Sequence, residues 1–217
     1  MRTTNAKACV AAAILVMSGG VATVRAAIIS AVGPGALDLL MGTPLLAVPD
    51  DGFPIGTIYG HPPSATPGMP LATPIGPMGF GPSHERITAG TPFSSGYFHA
   101  IPGPAGPIAG STVYAPVGAS AIDFFMTPAP GATHLFEITA IGTATTTTIV
   151  VPVGIGPPVY VGFGAFGESI IAISIVKLPF PSPTALTWNV GDIRVLPAPS
   201  AGAVVGMGLL LAGRRRR

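Results

Sequence analysis

The sequence predicts an all-β protein, a jelly-roll-like antiparallel β-sandwich flanked by an N-terminal signal helix and a short C-terminal hydrophobic helix. Three observations carry this. Thirty glycines and 26 prolines in 217 residues leave little room for long helices and suit short strands joined by turns. From Gly110 onward, runs of four to eight residues rich in Val, Ile, Thr, Phe and Tyr alternate with Gly, Pro or Asn, which is the pattern of strands and turns. Finally, 48% hydrophobic and 8% charged residues supply ample apolar surface for one sizeable core.

In chain order, residues 1–26 come first. MRTTNAK is a basic leader, ACVAAAILVM is apolar, and Val24-Arg25-Ala26 offers compact residues, Val24 and Ala26, at the −3 and −1 positions for cleavage after Ala26. This is the pattern of a secretory signal peptide, too short in its apolar part for the ~20 residues of a membrane span. The only cysteine, Cys9, lies within it. The remaining chain has no disulfide, thiol nucleophile or cysteine metal site available, and its stability must rest on hydrophobic burial.

Residues 27–195 are expected to form the sandwich. The first part, 27–109, is Pro- and Gly-rich: 16 of the 26 prolines fall between Pro34 and Pro116. Proline donates nothing to a ladder and restricts the residue before it, so loops and edge strands should dominate here. The second part, 110–195, offers eight strands, at 111–116, 121–126, 134–141, 145–151, 158–163, 169–176, 185–190 and 192–196. In HLFEITAI the set His134, Phe136, Ile138 and Ala140 forms the core face. SIIAISIV is apolar on both faces and reads as a covered central strand, whereas TTTTIVV reads as an exposed one.

Charge is distributed unevenly. Seven of the ten basic residues lie in the two terminal segments, and between Ala27 and Leu196 only Arg86, Lys177 and Arg194 face all eight acids, a net of −5. A nucleic-acid footprint needs clustered Lys and Arg on a folded face, so that class is excluded.

Candidate chemistry is sparse. His99, Asp123, His134 and Glu137 are the groups a metalloenzyme, hydrolase or lyase would have to gather, but His134 and Glu137 fall on opposite faces of one strand. No catalytic residue, metal ligand or cofactor site is assigned. His84-Glu85-Arg86 reads as a solvated loop and Asp50-Asp51-Gly52 as a turn. The glycine-rich stretch 153–167 lacks the lysine of a phosphate loop and reads as a bend between strands. Among the aromatics, Trp188, flanked by Thr187 and Asn189, is the candidate for stacking on a sugar ring, against the alternative that it fills the core.

Residues 196–217 read LPAPSAGAVVGMGLLLAGRRRR. The 13 residues 201–213 carry no polar side chain and as a helix reach only about 20 Å, short of a ~30 Å hydrocarbon core. Arg214, Arg215, Arg216 and Arg217 would stay on the cytoplasmic side while the leader sends the body outward.

This segment resembles the PEP-CTERM sorting segment of bacterial exported proteins, in which a short Pro-Glu-Pro-like motif precedes an apolar stretch and an arginine cluster. Pro197, Ala198 and Pro199 take the motif's place, with Ala198 where glutamate is most frequent, as in planctomycete-like Pro-Ala-Pro variants. The resemblance implies processing by an exosortase, a membrane cysteine protease or transpeptidase, and display in an envelope or exopolysaccharide matrix. It implies an address and not a reaction. The expectation is therefore a non-enzymatic, exported structural or interaction protein, transiently membrane-anchored and then at the cell surface or in the matrix. A carbohydrate-binding module is the alternative.

Overall fold

The computed structural model describes residues 26–31, 33, 35–61, 68–87, 97–100, 110–128, 133–154, 156–179 and 188–198. Both expected terminal helices lie outside the described residues. The chain is an all-β antiparallel sandwich, as its composition predicts.

Short elements fill the proline-rich part: β1 (Ala27–Ala31), α1 (Ala36–Met41), β2 (Leu46–Ala47), β3 (Ile58–Tyr59), β4 (Leu71–Thr73), β5 (Gly76–Gly81), β6 (His84–Ile87) and β7 (Tyr97–Ala100). Longer strands follow: β8 (Gly110–Pro128), β9 (His134–Gly142), β10 (Thr146–Val153), β11 (Val159–Phe166), β12 (Ile170–Lys177) and β13 (Trp188–Pro197). β1 begins at Ala27, and β13 runs to Pro197, two residues beyond 195. It does so because Leu196 is buried and paired with Ala121.

β8 organises the molecule. Residues 111–116 and 121–126, read as two strands, are one 19-residue strand interrupted by a bulge. On β12, Ala172 pairs with Tyr114 and Ile170 pairs with Ala119, so Ala115, Pro116, Val117 and Gly118 stand opposite a single residue, Ile171. Pro116 has no N–H to offer the ladder and Gly118 adopts φ 77°, a conformation glycine takes at little steric cost. Before the bulge β8 lies between β5 and β12; after it β8 lies between β11 and β13. One wing therefore runs β10-β9-β12-β8-β5-β4 and the other runs β1-β11-β8-β13-β7-β6-β3, with β2 on the free part of β13. The wings enclose a common core: Phe136 of β9 meets Trp188 of β13 edge-on, with ring centroids 5.5 Å apart.

Burial along β9 follows the expected alternation, His134, Phe136, Ile138 and Ala140 all facing inward. Thr146 and Thr148 are exposed, as expected, and β10 is found at the end of the strand order. β12 differs from expectation. It is central in its ladder, yet Ile171 and Val176 are exposed. The bulge removes the partner of Ile171, and the helix α1 packs over β11 and β1 instead of over β12.

Three further readings are corrected. His84-Glu85-Arg86 is not a loop but most of β6, held between β3 and β7, with His84 and Arg86 buried. In the glycine-rich stretch Val153 ends β10, and VGFGAF belongs to β11. Its glycines serve packing: a Cβ on Gly164 would lie 2.6 Å from Met41 Sδ and 3.0 Å from Leu37 Cδ1, so its absence lets α1 lie flat on the strand. Lastly, the strands expected at 185–190 and 192–196 form one strand from Trp188, with a register shift between Gly191 and Arg194 where Asp192 adopts φ 50°.

Candidate functional site

The Pro-Ala-Pro segment starts inside the fold. Pro197 is the last residue of β13, exposed and paired with Ala119. The Ala198 amide donates to the Gly118 carbonyl at 2.6 Å. Beneath it the Ser120 hydroxyl, itself buried, donates to the carbonyl of Pro197 at 2.9 Å and reaches that of Leu196 at 3.3 Å. Gly118, whose φ is positive, thus presents its carbonyl to the departing chain. The sandwich thus holds its outgoing strand up to Ala198. Pro199 and Arg214, Arg215, Arg216 and Arg217 lie outside the described residues.

Just inside this junction sits a clamp of charged groups. Arg194 donates through Nε and Nη2 to both carboxylate oxygens of Asp123, at 3.0 and 2.5 Å, and through Nη1 to Asp38 at 2.8 Å. Tyr160 donates to Asp123 Oδ2 at 2.7 Å, and Asp38 accepts the Leu45 amide at 2.8 Å. Four elements meet here: α1, β8, β11 and β13. Asp123 is almost fully buried, and that burial pushes its carboxyl up against the pull of Arg194 and Tyr160. For Asp38 burial also opposes ionisation, but the Leu45 amide and the Arg194 guanidinium win and hold it below the ordinary carboxylate range. Hydrogen bonding to Asp123, then to Asp38, holds Arg194 firmly cationic against its own desolvation.

A second clamp lies within the proline-rich part. Arg86 pairs with Asp50 and Asp51, and Tyr59 donates to Asp51 at 2.5 Å. Asp50 and Asp51 also accept the amides of Gly52 and Phe53 at 2.9 and 3.1 Å, which makes the expected turn. The hydrogen bond from Arg86 holds Asp50 low, while burial and then Asp51 push the Tyr59 phenol up to about 12. Both body arginines are consumed in ion pairs with carboxylates, so neither offers a free anion site.

The other candidates are scattered. Trp188 is fully buried with its ring edge against Phe136; it fills the core, and neither face is presented to a sugar. Ala26 is half-buried and directly precedes β1. Asp123 is committed to Arg194, His134 is buried on β9, Glu137 lies on the opposite face of that strand, and His99 stands in β7 opposite Asn189. Among the described residues no three His, Cys, Asp or Glu side chains gather as for a metal ion, and no helix is long and apolar enough to cross a membrane.

Sequence reasoning placed Pro197 and Ala198 but not their anchors, Gly118 and Ser120, nor the clamp of Asp38, Asp123, Tyr160 and Arg194. One signal was present: with three cations in the body, an arginine within an apolar strand must find a carboxylate. Comparison of the chain with protein-family models, with curated proteins and with solved structures finds no match in any of the three.

Proposed function

We propose that this chain is a non-enzymatic, exported β-sandwich protein, held at the membrane through residues 201–217 and then sorted to the cell surface or extracellular matrix by an exosortase-type enzyme acting at the Pro197-Ala198-Pro199 segment. The observation that carries the reading is the order of parts at the end of the last strand: β13 closing on Pro197 of the Pro-Ala-Pro motif, then 13 apolar residues and four arginines, with three residues, Ala198, Pro199 and Ser200, between the strand and the apolar run. The charge distribution agrees with it. Arg86 and Arg194 are neutralised within the fold, which leaves the arginine cluster as the chain's concentrated basic feature, suited to holding position at a cytoplasmic face. Burial of Trp188 removes the support for a carbohydrate-binding body that stacks sugar on that ring.

The test is the intact mass of the protein recovered from its native host's surface and medium. The mass expected lacks Arg214 to Arg217 and part or all of the apolar run. A recovered chain that retains the four arginines would overturn processing. Deleting residues 201–217 is expected to release the body from the envelope; unchanged retention would overturn anchoring.

A further inference from the structure

Exposed apolar side chains in a sandwich of this kind are normally scattered. Here several converge at one end, the end from which Ala198 departs. Ala119 of β8 pairs with Pro197 on one side, and on the other wing it pairs with Ile170. Val117, two residues before Ala119 at the crest of the bulge, is 95% exposed, and Ile171, which faces that bulge, is 49% exposed. Gly164 pairs with Ala121, which pairs with Leu196, so Phe166, two residues farther along β11, comes to the level of Pro197; it is 38% exposed. Pro197 itself is exposed. The one carboxylate in the adjoining β11–β12 turn, Glu168, is turned aside to the amides of Ala144 and Thr145 at 2.9 and 3.0 Å and to the Thr145 hydroxyl.

Chain length decides what covers this surface. Ala198 is fastened to Gly118, and the apolar run begins at Ala201. Three residue steps span at most about 11 Å even when fully extended. The headgroup layer outside the hydrocarbon is itself roughly 5–8 Å thick on each side. When residues 201–213 are in the bilayer, the end of the sandwich that carries Val117 has no freedom to stand clear of the interface.

We propose that Val117, Phe166, Ile171 and Pro197 form a bilayer-facing collar around the departing chain, which seats the sandwich end-on against the lipid headgroups of the anchored protein. This rests on the reading of residues 201–217 as a membrane anchor. A polybasic surface is not what attracts it, since the body is acidic; the attraction is apolar, and the short tether supplies the proximity.

The experiment uses the full chain with Cys9→Ser, reconstituted in vesicles of phosphatidylethanolamine and phosphatidylglycerol. One environment-sensitive fluorophore is placed at Val117→Cys, at Ile171→Cys or at Val150→Cys. Val150 is the control: it is 54% exposed and apolar, but lies on β10 opposite Glu137, five residues along β9 from the Gly142 that pairs with Ile170. Labels at 117 and 171 are expected to be quenched several-fold more by doxyl-labelled lipid, and several-fold less by aqueous iodide, than the label at 150. Equal iodide quenching at all three sites in protein that floats with the vesicles would overturn the collar and leave the anchor standing. Protein that fails to float would overturn the anchor and the collar together. Shielding at 117 that is just as strong without vesicles would show a second copy of the chain on this surface and overturn the assignment to lipid.

Discussion

The Gly118 carbonyl accepts the Ala198 amide at 2.6 Å, so the outgoing strand is fastened to the bulge of the strand that joins the two wings. Ser120 reinforces the junction from beneath with its bond to the Pro197 carbonyl. Ser120→Ala is expected to cost about 1 kcal/mol, the ordinary worth of such a bond, and to speed hydrogen exchange at the Ala198 amide. Ser111→Ala is the comparison, because the buried Ser111 hydroxyl has no hydrogen-bond partner among the described residues. Equal effects of the two substitutions on stability and on Ala198 exchange would show that the junction is not fastened as described.

Arg194 is what makes a buried Asp123 tolerable. Arg194→Met leaves that carboxylate without its bidentate partner, a change that costs roughly 3–5 kcal/mol where a buried pair is broken from one side. Asp123→Asn in the same chain removes the orphaned charge and is expected to recover a substantial part. Urea unfolding of the two variants measures this; a double variant no more stable than Arg194→Met would refute the account.

Gly164 sits beneath α1, where a methyl group meets Leu37 and Met41. Gly164→Ala is expected to destabilise by about 1–3 kcal/mol, the usual cost of overpacking. Since the closer of the two contacts is the end of a flexible side chain, Met41→Ala should relieve part of the cost. The urea midpoints of the single and double variants decide it, and no relief in the double variant would count against the packing.

His134 titrates against folding. Burial, and then the nearby Lys177 charge, hold its imidazole below the ordinary histidine value of 6.5, and Nδ1 has no hydrogen-bond partner among the described residues. Because the unfolded chain takes up the proton first, stability from this group is complete above about pH 6.5 and is lost as pH falls toward the lower folded value. His134→Gln is expected to flatten stability between pH 7 and pH 5. Asp38, Asp50 and Glu168, all held low, contribute stability that is present above their ordinary values and lost only at more acid pH, so they do not mask the effect. A slope unchanged by His134→Gln would place the titration elsewhere.

Much of the second half was legible because strand signals are local. HLFEITAI shows its core face by alternation alone, and the threonines of β10 announce an exposed strand. The bulge was legible only as a break: Pro116 and Gly118 interrupt the pattern, but whether the chain turns back there or continues depends on neighbours that local sequence does not name. Likewise, a helix of six residues between Gly35 and Gly42 is too short to leave a periodic trace.

The sequence by itself determined the all-β class, the cysteine-free acidic body and the Pro-Ala-Pro, apolar and arginine order, since each is composition or a contiguous string. Tertiary structure alone decided that Ser120 holds a residue 77 positions away, that Arg194 joins Asp38 to Asp123, and that Trp188 faces Phe136 in the core. It alone brought Val117, Phe166 and Ile171 to the end of the sandwich where the chain departs. The reason is physical: pairing across a sheet joins residues through ladder register, and register is set by the summed burial of whole strands, a quantity no short stretch of chain contains.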